Sequence, residues 1–588
     1  MLLAALLASC LPQTPPFGPP NIGGATLLTN QGTAVLDVNR DSSPEFYSVG
    51  ALGLNFLVST DEDGSLLGSG FMGWFGFAAW PAGTLPVVLG VGAGEVTGDG
   101  RDDLIVVSNS GHVLLFPNSG GHRLELGAFL PPISLEFFGP TLPLNPPFVK
   151  LCVPNVLVFD ANQDGAGDIL VASAPVDIWT GQTLPGHLRL YVSNGSGGFT
   201  THTLGLTGNV VDTEWADVDG DGTPETIVCV VEQGAAGVFG YELFRAAFDS
   251  VQGLHFVGLP QALPPRVTSL AIGDVFGGPA PDFVLSLETA AGPEIQLIEG
   301  DGTGQLLTAS WTNLVLPPNT TGKPAHIMSV KLADFDRDGS RDLVALRNFV
   351  VPAPTGSAAS AQHADSELVF AMGPNLSTAT MVRNGCNGFV NDTWSAHPVS
   401  HALPLLAVPD LLCVADWSRD DTPDLYVPSV LQVTPTTSVS KVLVWKNQTP
   451  PVPGSPGFYK LGSPSGGVAA TPARAGFDGG VPRLGNAQFA ATLSNVRAGS
   501  IAGLLWGQVG FPGLFQVLGV DVHVAPEVFG AATIAVGTGA TDGFATHPLP
   551  VPNVPALVGD LGYFQWIYFD PQAAVWGASQ ATQVFLAP

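Results

Sequence analysis

The chain has 588 residues, only 12% of them charged, with 73 Gly, 52 Pro and a formal net charge of −29. Its twenty Lys and Arg residues are nowhere clustered, which excludes the basic surface that a nucleic acid needs. Abundant Gly and Pro among many short apolar runs predicts an all-β protein dense in turns.

Residues 1–10, Met-Leu-Leu-Ala-Ala-Leu-Leu-Ala-Ser-Cys, read as a secretory leader. Leu7-Ala8-Ser9-Cys10 resembles a bacterial lipobox, in which Cys10 would carry a lipid anchor. Residues 11–25, rich in proline and free of charge, read as a tether. Export to the extracellular space or cell envelope is the expectation, with membrane attachment only through Cys10. Cys229 and Cys413 lie in apolar strand-like runs and read as small hydrophobes, and no Cys/His metal pattern occurs.

From about residue 26 to 465 one motif recurs. Its fullest copy is Asp334-Phe-Asp336-Arg-Asp338-Gly-Ser340-Arg-Asp342, with carboxylates at positions 1, 3, 5 and 9 of a nine-residue loop. Four anions so close repel unless a cation sits among them. Oxygen donors without His or Cys favour a hard cation, and Ca²⁺ over Mg²⁺. Copies begin at Asp37, Glu95, Asp160, Asp217, Asp274, Asp334 and Asp416, at intervals of 58, 65, 57, 57, 60 and 82 residues. They hold 22 of the 49 Asp and Glu residues at the four loop positions, so bound metal would offset much of the charge.

Each copy leads into a β-forming run. Around the third loop the pattern predicts strands at Asn155 to Phe159, Ile169 to Ser173, His187 to Ser193 and Phe199 to Leu204. Four short antiparallel strands per unit describe a β-propeller blade, and seven units too small to fold alone imply a closed array.

The chain resembles the FG-GAP/VCBS family, whose blades are like those of the integrin α-subunit head. Asp217-Val-Asp219-Gly-Asp221-Gly-Thr223-Pro-Glu225 is close to that family's loop, with Glu in place of Asp at position nine. The resemblance implies a seven-bladed propeller over residues 26–465, with structural Ca²⁺ held at positions 1, 3, 5 and 9. The implied ligands are Asp37, Asn39, Asp41 and Glu45; Glu95, Thr97, Asp99 and Asp103; Asp160, Asn162, Asp164 and Asp168. They continue with Asp217, Asp219, Asp221 and Glu225; Asp334, Asp336, Asp338 and Asp342; Asp416, Ser418, Asp420 and Asp424. The copy from Asp274 to Asp282 lacks carboxylates at positions 3 and 5 and reads as an empty structural turn. A single Asp-Gly loop is more often a plain turn. Six copies with the same spacing shift the balance to metal.

Gly70 to Trp80 is the most aromatic stretch and reads as packing between the first two units. The long interval before the seventh loop holds two small-residue insertions, Pro352 to Asp365 and Asn384 to His401. His397 and His401 have helical metal-pair spacing, but Pro398 between them argues against a helix. No clear strand from the N-terminus is available to complete the seventh unit, so the closure of the ring stays open.

Residues 466–588 lack the loops. Gly485-Asn486, Phe489 to Leu493, Ala502 to Trp506, Phe515 to Val522 and Tyr563 to Phe569 read as short strands of a C-terminal β-sandwich. No nucleophile elbow, zinc-protease helix, P-loop or dinucleotide fingerprint is present. The expectation is an extracellular binding or adhesion module for protein or glycan ligands. A carbohydrate-active enzyme and a purely structural surface protein are the alternatives. The enzyme would need an acid/base cluster away from the carboxylate loops.

Overall fold

The computed structural model describes residues 21–24, 30–36, 45–50, 53–59, 66–73, 88–118, 129–137, 149–350, 363–371, 380–383, 394–395, 412–447, 457–478 and 484–586, apart from short stretches inside those spans. The leader with Cys10, loop residues Asp37, Asn39, Asp41, Asp219, Asp221, Asp336, Asp338, Ser418 and Asp420, residues 74–80, and the His397/His401 pair lie outside the described residues. The molecule is all-β. Its one described helical element is a single 3₁₀ turn at Pro555–Leu557.

Among the described residues up to 447, seven sheets of four or five strands are antiparallel; strand order follows the chain in the first six, and a separate two-stranded sheet pairs Val149–Leu151 with Pro175–Asp177. In sheet three, Asn155–Phe159, Asp168–Ser173, His187–Ser193 and Phe199–Gly205 pair in that order, as the sequence pattern predicts. Sheet one runs from Asn30–Leu36 to Leu66–Gly73, and sheet two from Val88–Gly94 to Ile133–Phe137. Sheet four starts at Asn209–Ala216, sheet five at Val267–Gly273, sheet six at Ala325–Ala333 and sheet seven at Cys413–Ala415. The first strands touch in sequence, one to two and so on to seven, and the first strand of sheet seven touches that of sheet one.

In sheets two to six the second strand is buried on both faces, which explains why it reads as a continuous apolar run rather than an alternating one. Leu104 to Val107, Ile169 to Ala172, Ile227 to Val231 and Phe283 to Leu285 are all buried. The cores lie between sheets. Val106 of sheet two packs with Tyr47 of sheet one, while its neighbours Ile105 and Val107 pack with Ile169 and Tyr191 of sheet three. Cys229 sits in the next such core, where burial pushes its thiol up to about 12, in keeping with a small hydrophobe.

Three expectations need correction. Residues 11–25 do not form a tether throughout: Asn21–Gly24 is a strand, paired with Thr437–Trp445 as the fourth strand of sheet seven. Four residues with two glycines carry no readable strand pattern, and the partner lies at the other end of the repeat. In the C-terminal unit, Phe515 to Val522 is a hairpin, not one strand. Gly510–Val517 and Val520–Val524 meet at a turn where Leu518 (φ 55°) and Gly519 (φ 80°) both adopt left-handed backbone. Gly485-Asn486 belongs to a turn as well.

Gly457–Leu461, ahead of residue 466, pairs with the last described strand, Val575–Leu586. A three-stranded sheet (Arg474–Asp478, Ala490–Val496, Gly543–Pro548) shares a core with the larger sheet that contains Gly559–Asp570. There Phe477 stacks on Phe489 at 5.3 Å and meets Phe564 edge-on at 5.9 Å.

Candidate metal centre

The repeated loops join the first strand of a sheet to the second. In six of the sheets the last residue of strand one pairs with position nine, as Phe159 does with Asp168 and Gly94 with Asp103. Sheet four differs by one residue: Ala216 pairs with Thr226, leaving Glu225 just outside the ladder. The extra methylene of Glu spans the added distance, and Glu225 Oε1 still accepts the Val218 N–H at 3.3 Å.

The third loop is described in full. Asp160 Oδ1 accepts the Asp164 N–H at 3.0 Å, and its Oδ2 accepts the Gly165 N–H at 2.8 Å. Asn162 Oδ1 accepts from Asp164 N–H at 3.0 Å, and Asp164 Oδ1 accepts from Ala166 N–H at 2.9 Å. Gln163 (φ 57°) and Gly165 (φ 90°) supply the left-handed turns that curl these donors inward. Positions 1, 3 and 5 thus line one tight, solvent-facing loop with carboxylate and amide oxygens.

Position nine also anchors the backbone. Asp168 is fully buried; its Oδ2 accepts the Ala161 N–H at 2.8 Å, and its Oδ1 accepts the Ser193 N–H at 2.7 Å. One carboxylate therefore ties the loop's second residue to the end of the sheet's third strand. Asp103 does the same with Val96 and Asn118, and Asp282 with Val275 and Gly300. Asp342 takes the Phe335 N–H at 2.7 Å, and Asp424 the Asn447 N–H at 2.7 Å. The fifth loop, which lacks positions 3 and 5, retains this staple.

Burial pushes Asp168 up to about 6; the two backbone donors oppose the rise, while Asp160 and Asp164 add to it. Burial likewise lifts Asp103 to about 6, with Asp99 contributing. In the second loop Glu95 Oε1 accepts from the Gly98 N–H at 2.6 Å, and Arg101 pairs with Asp99 at 3.0 Å. Thr97 there is half-buried. Arg101 already neutralises one of that loop's three acids. Of the remaining loop residues, Glu45, Asp217, Asp334 and Asp416 take the expected places at strand or loop boundaries. Among the described residues no three His, Cys, Asp or Glu side chains converge on one point.

Sequence reasoning missed the residues that lock neighbouring sheets together. Ser193 Oγ donates to Val96 O at 2.7 Å, and Asn447 Nδ2 donates to Phe335 O at 2.8 Å, each reaching back to the preceding sheet's loop. A Cβ on Gly98 would lie 2.0 Å from Gly195 O, so the two loops touch backbone to backbone. Further along the first strands, buried Asp212 accepts from Asn155 Nδ2 of sheet three at 3.1 Å. It also accepts from Ser269 Oγ at 3.0 Å and Leu270 N–H at 2.8 Å of sheet five. Ser269 Oγ in turn accepts the Val330 N–H of sheet six at 3.3 Å. Asn155, Asp212, Ser269 and Ser329 all stand five residues before a loop, a polar residue at a fixed offset within an apolar strand. That offset was the available signal.

These features define an all-β repeat protein in which five of the antiparallel sheets carry a turn stapled by a buried Asp. Residues 160–228 match the family model described as an FG-GAP-like repeat, covering the third loop through the fourth. The chain therefore carries an FG-GAP-like repeat, as the loop spacing implied. No curated protein matches it. Among solved structures it is similar to BBS1N from the crystal structure of BBS1N in complex with ARL6DN, at 14% identity and a TM-score of 0.30. That similarity covers 54% of this chain and 74% of BBS1N. Among the described residues no helix is long and apolar enough to cross a membrane.

Proposed function

We propose that the seven sheets are the blades of a closed β-propeller, followed by a C-terminal β-sandwich, and that the protein is an exported, calcium-stabilised binding module. The observation that carries the ring is the contact between the first strands of sheets seven and one, reinforced by the strand Asn21–Gly24 in sheet seven. Ca²⁺ would sit in the loops on the oxygens of positions 1, 3 and 5. Asp160, Asn162 and Asp164 fit it best among the described residues, since their oxygens line one solvent-facing turn and the loop from Asp160 to Asp168 contains no Lys or Arg. Position nine holds the turn that presents them. The extracellular partner is a protein or glycan, engaged at one face of the ring.

The test is thermal unfolding of the full chain with excess Ca²⁺ and after metal removal, with metal analysis of the dialysed protein. A large calcium-dependent rise in midpoint and several Ca²⁺ per chain support the reading. No shift and no bound metal reduce the loops to turns.

A further inference from the structure

The end of the sheets opposite the carboxylate loops carries a second group of titratable side chains. Glu232 stands near the far end of the second strand of sheet four, directly across the ladder from Tyr241. Arg266 immediately precedes the first strand of sheet five, and Glu288 lies at the far end of that sheet's second strand. His326 is at the start of the first strand of sheet six. Three sheets therefore bring five polar side chains to one end of the fold.

Their contacts are specific. His326 Nδ1 is hydrogen-bonded to Glu288 Oε1, and Arg266 Nη1 lies 4.0 Å from Glu288 Oε2. Tyr241 donates its hydroxyl to Glu232 Oε1 at 2.8 Å. Burial raises the Tyr241 phenol first, then Glu232; Arg266 and Glu288 act on it with opposite signs, so the two pairs share one electrostatic environment. Arg266 holds a left-handed backbone (φ 61°), unfavourable for a residue with a Cβ, and its carbonyl accepts the Glu288 N–H at 2.9 Å. Its side chain is 71% exposed, against 20% for Glu288 and His326. A strained backbone that projects a guanidinium into solvent does little for packing. It makes sense as presentation.

We propose that Arg266 and His326, both held by the Glu288 carboxylate, bind the carboxylate of an acidic, uronate-bearing glycan, with Glu232, held by the buried Tyr241 hydroxyl, facing its hydroxyl groups. This rests on the binding-module reading above. Glu288 draws one nitrogen from each of the two side chains, and the other guanidinium N–H groups of the exposed Arg266 suit a planar carboxylate. Among the described side chains of strands Thr226–Ala235, Val238–Asp249, Val267–Gly273, Asp282–Thr289 and Ala325–Ala333 no large apolar one is exposed, so those residues offer no apolar anchor for a protein interface. The loops that hold 22 of the 49 acids occupy the other end of each sheet, which leaves this end the less repulsive approach for an anion.

The experiment is calorimetric titration of the full chain with galacturonate oligomers, the same oligomers as methyl esters, and a Glu-rich peptide. Wild type should bind the acid form at least tenfold more tightly than the ester or the peptide. Arg266→Gly should weaken that binding at least tenfold while its unfolding midpoint stays or rises, because glycine accepts the φ of 61° without strain. His326→Gln should weaken it as well. Equal affinity for acid and ester, tighter binding of the peptide, or no binding of the acid overturns the site. So does a lowered Arg266→Gly midpoint with unchanged uronate affinity, which would make Arg266 a structural ion pair. Glycan or protein binding that ignores Arg266→Gly leaves the binding module standing and removes only this site.

Discussion

Asp168→Asn isolates the position-nine staple, and its effect should depend on pH in a way that few buried carboxylates allow. Asp168 is fully buried and its pKa is raised from 3.8 to about 6, chiefly by burial. In the metal-free protein the folded state therefore holds a proton that the unfolded chain releases between those two values. Stability from this group is fully present below pH 3.8 and is lost as pH rises through about 6. The difference between the two pKa values corresponds to about 3 kcal/mol. Asn is neutral throughout, so the wild-type advantage over Asp168→Asn should shrink by about that amount between pH 4 and pH 7. The assay is urea unfolding of both proteins, freed of metal on a chelating resin, at intervals across that range. Comparing the pair cancels the other titrating groups. In excess Ca²⁺ the trend should reverse, because a bound cation favours the ionised carboxylate. An advantage that stays constant from pH 4 to 7 without metal would refute the argument from burial.

Asp160→Ala should change the metal-free midpoint little, since it loses two hydrogen bonds on an exposed turn, yet it should abolish most of any calcium-dependent rise measured by the same melt. Asn447→Ala removes two side-chain hydrogen bonds, to Phe335 O and Pro423 O, and should cost about 1–3 kcal/mol in chemical denaturation. Asp212→Ala strands the donors of Asn155, Ser269 and Leu270 in a buried junction and should cost more than about 3 kcal/mol. His187 is held down to about 4 by burial, then by Arg189; the protein should therefore lose stability as pH falls below 6.5, a loss that His187→Gln should lessen.

Local pattern was legible wherever one strand's own residues decide its state. The four strands of sheet three follow from Asn155 to Leu204 because apolar runs, an Asp-Gly turn and the Gly-rich segment after Asn194 all agree. The loop positions were legible as a donor set, but their division of labour was not. In sequence Asp168 is one of four equivalent oxygens, and only the burial of strand two turns it away from solvent. Asn21–Gly24 was invisible for a different reason: its partner is specified some four hundred residues away, and nothing in Asn-Ile-Gly-Gly announces pairing. At Leu518 the chain takes a backbone that a branched side chain disfavours, so the hairpin at 515–522 looked like a continuous strand. The polar belt of Asn155, Asp212 and Ser269 was hidden inside apolar runs whose loop offset carries meaning only once the sheets are adjacent.

The pairing of Asn21 with Val444 has a consequence for how the chain is made. Asn21–Gly24 finds its place only after its partner in sheet seven, made about four hundred residues later, has formed. Closing a free chain of that length costs about 5 kcal/mol in entropy, but packed intervening sheets bring the ends together beforehand and remove most of it. Until then Thr437–Trp445 presents an open edge, a template for the same segment of another molecule. A chain lacking residues 21–24, or slow to place them, is thus poised to exchange strands with its neighbours and grow into linked oligomers. Four unremarkable residues guard the protein against itself.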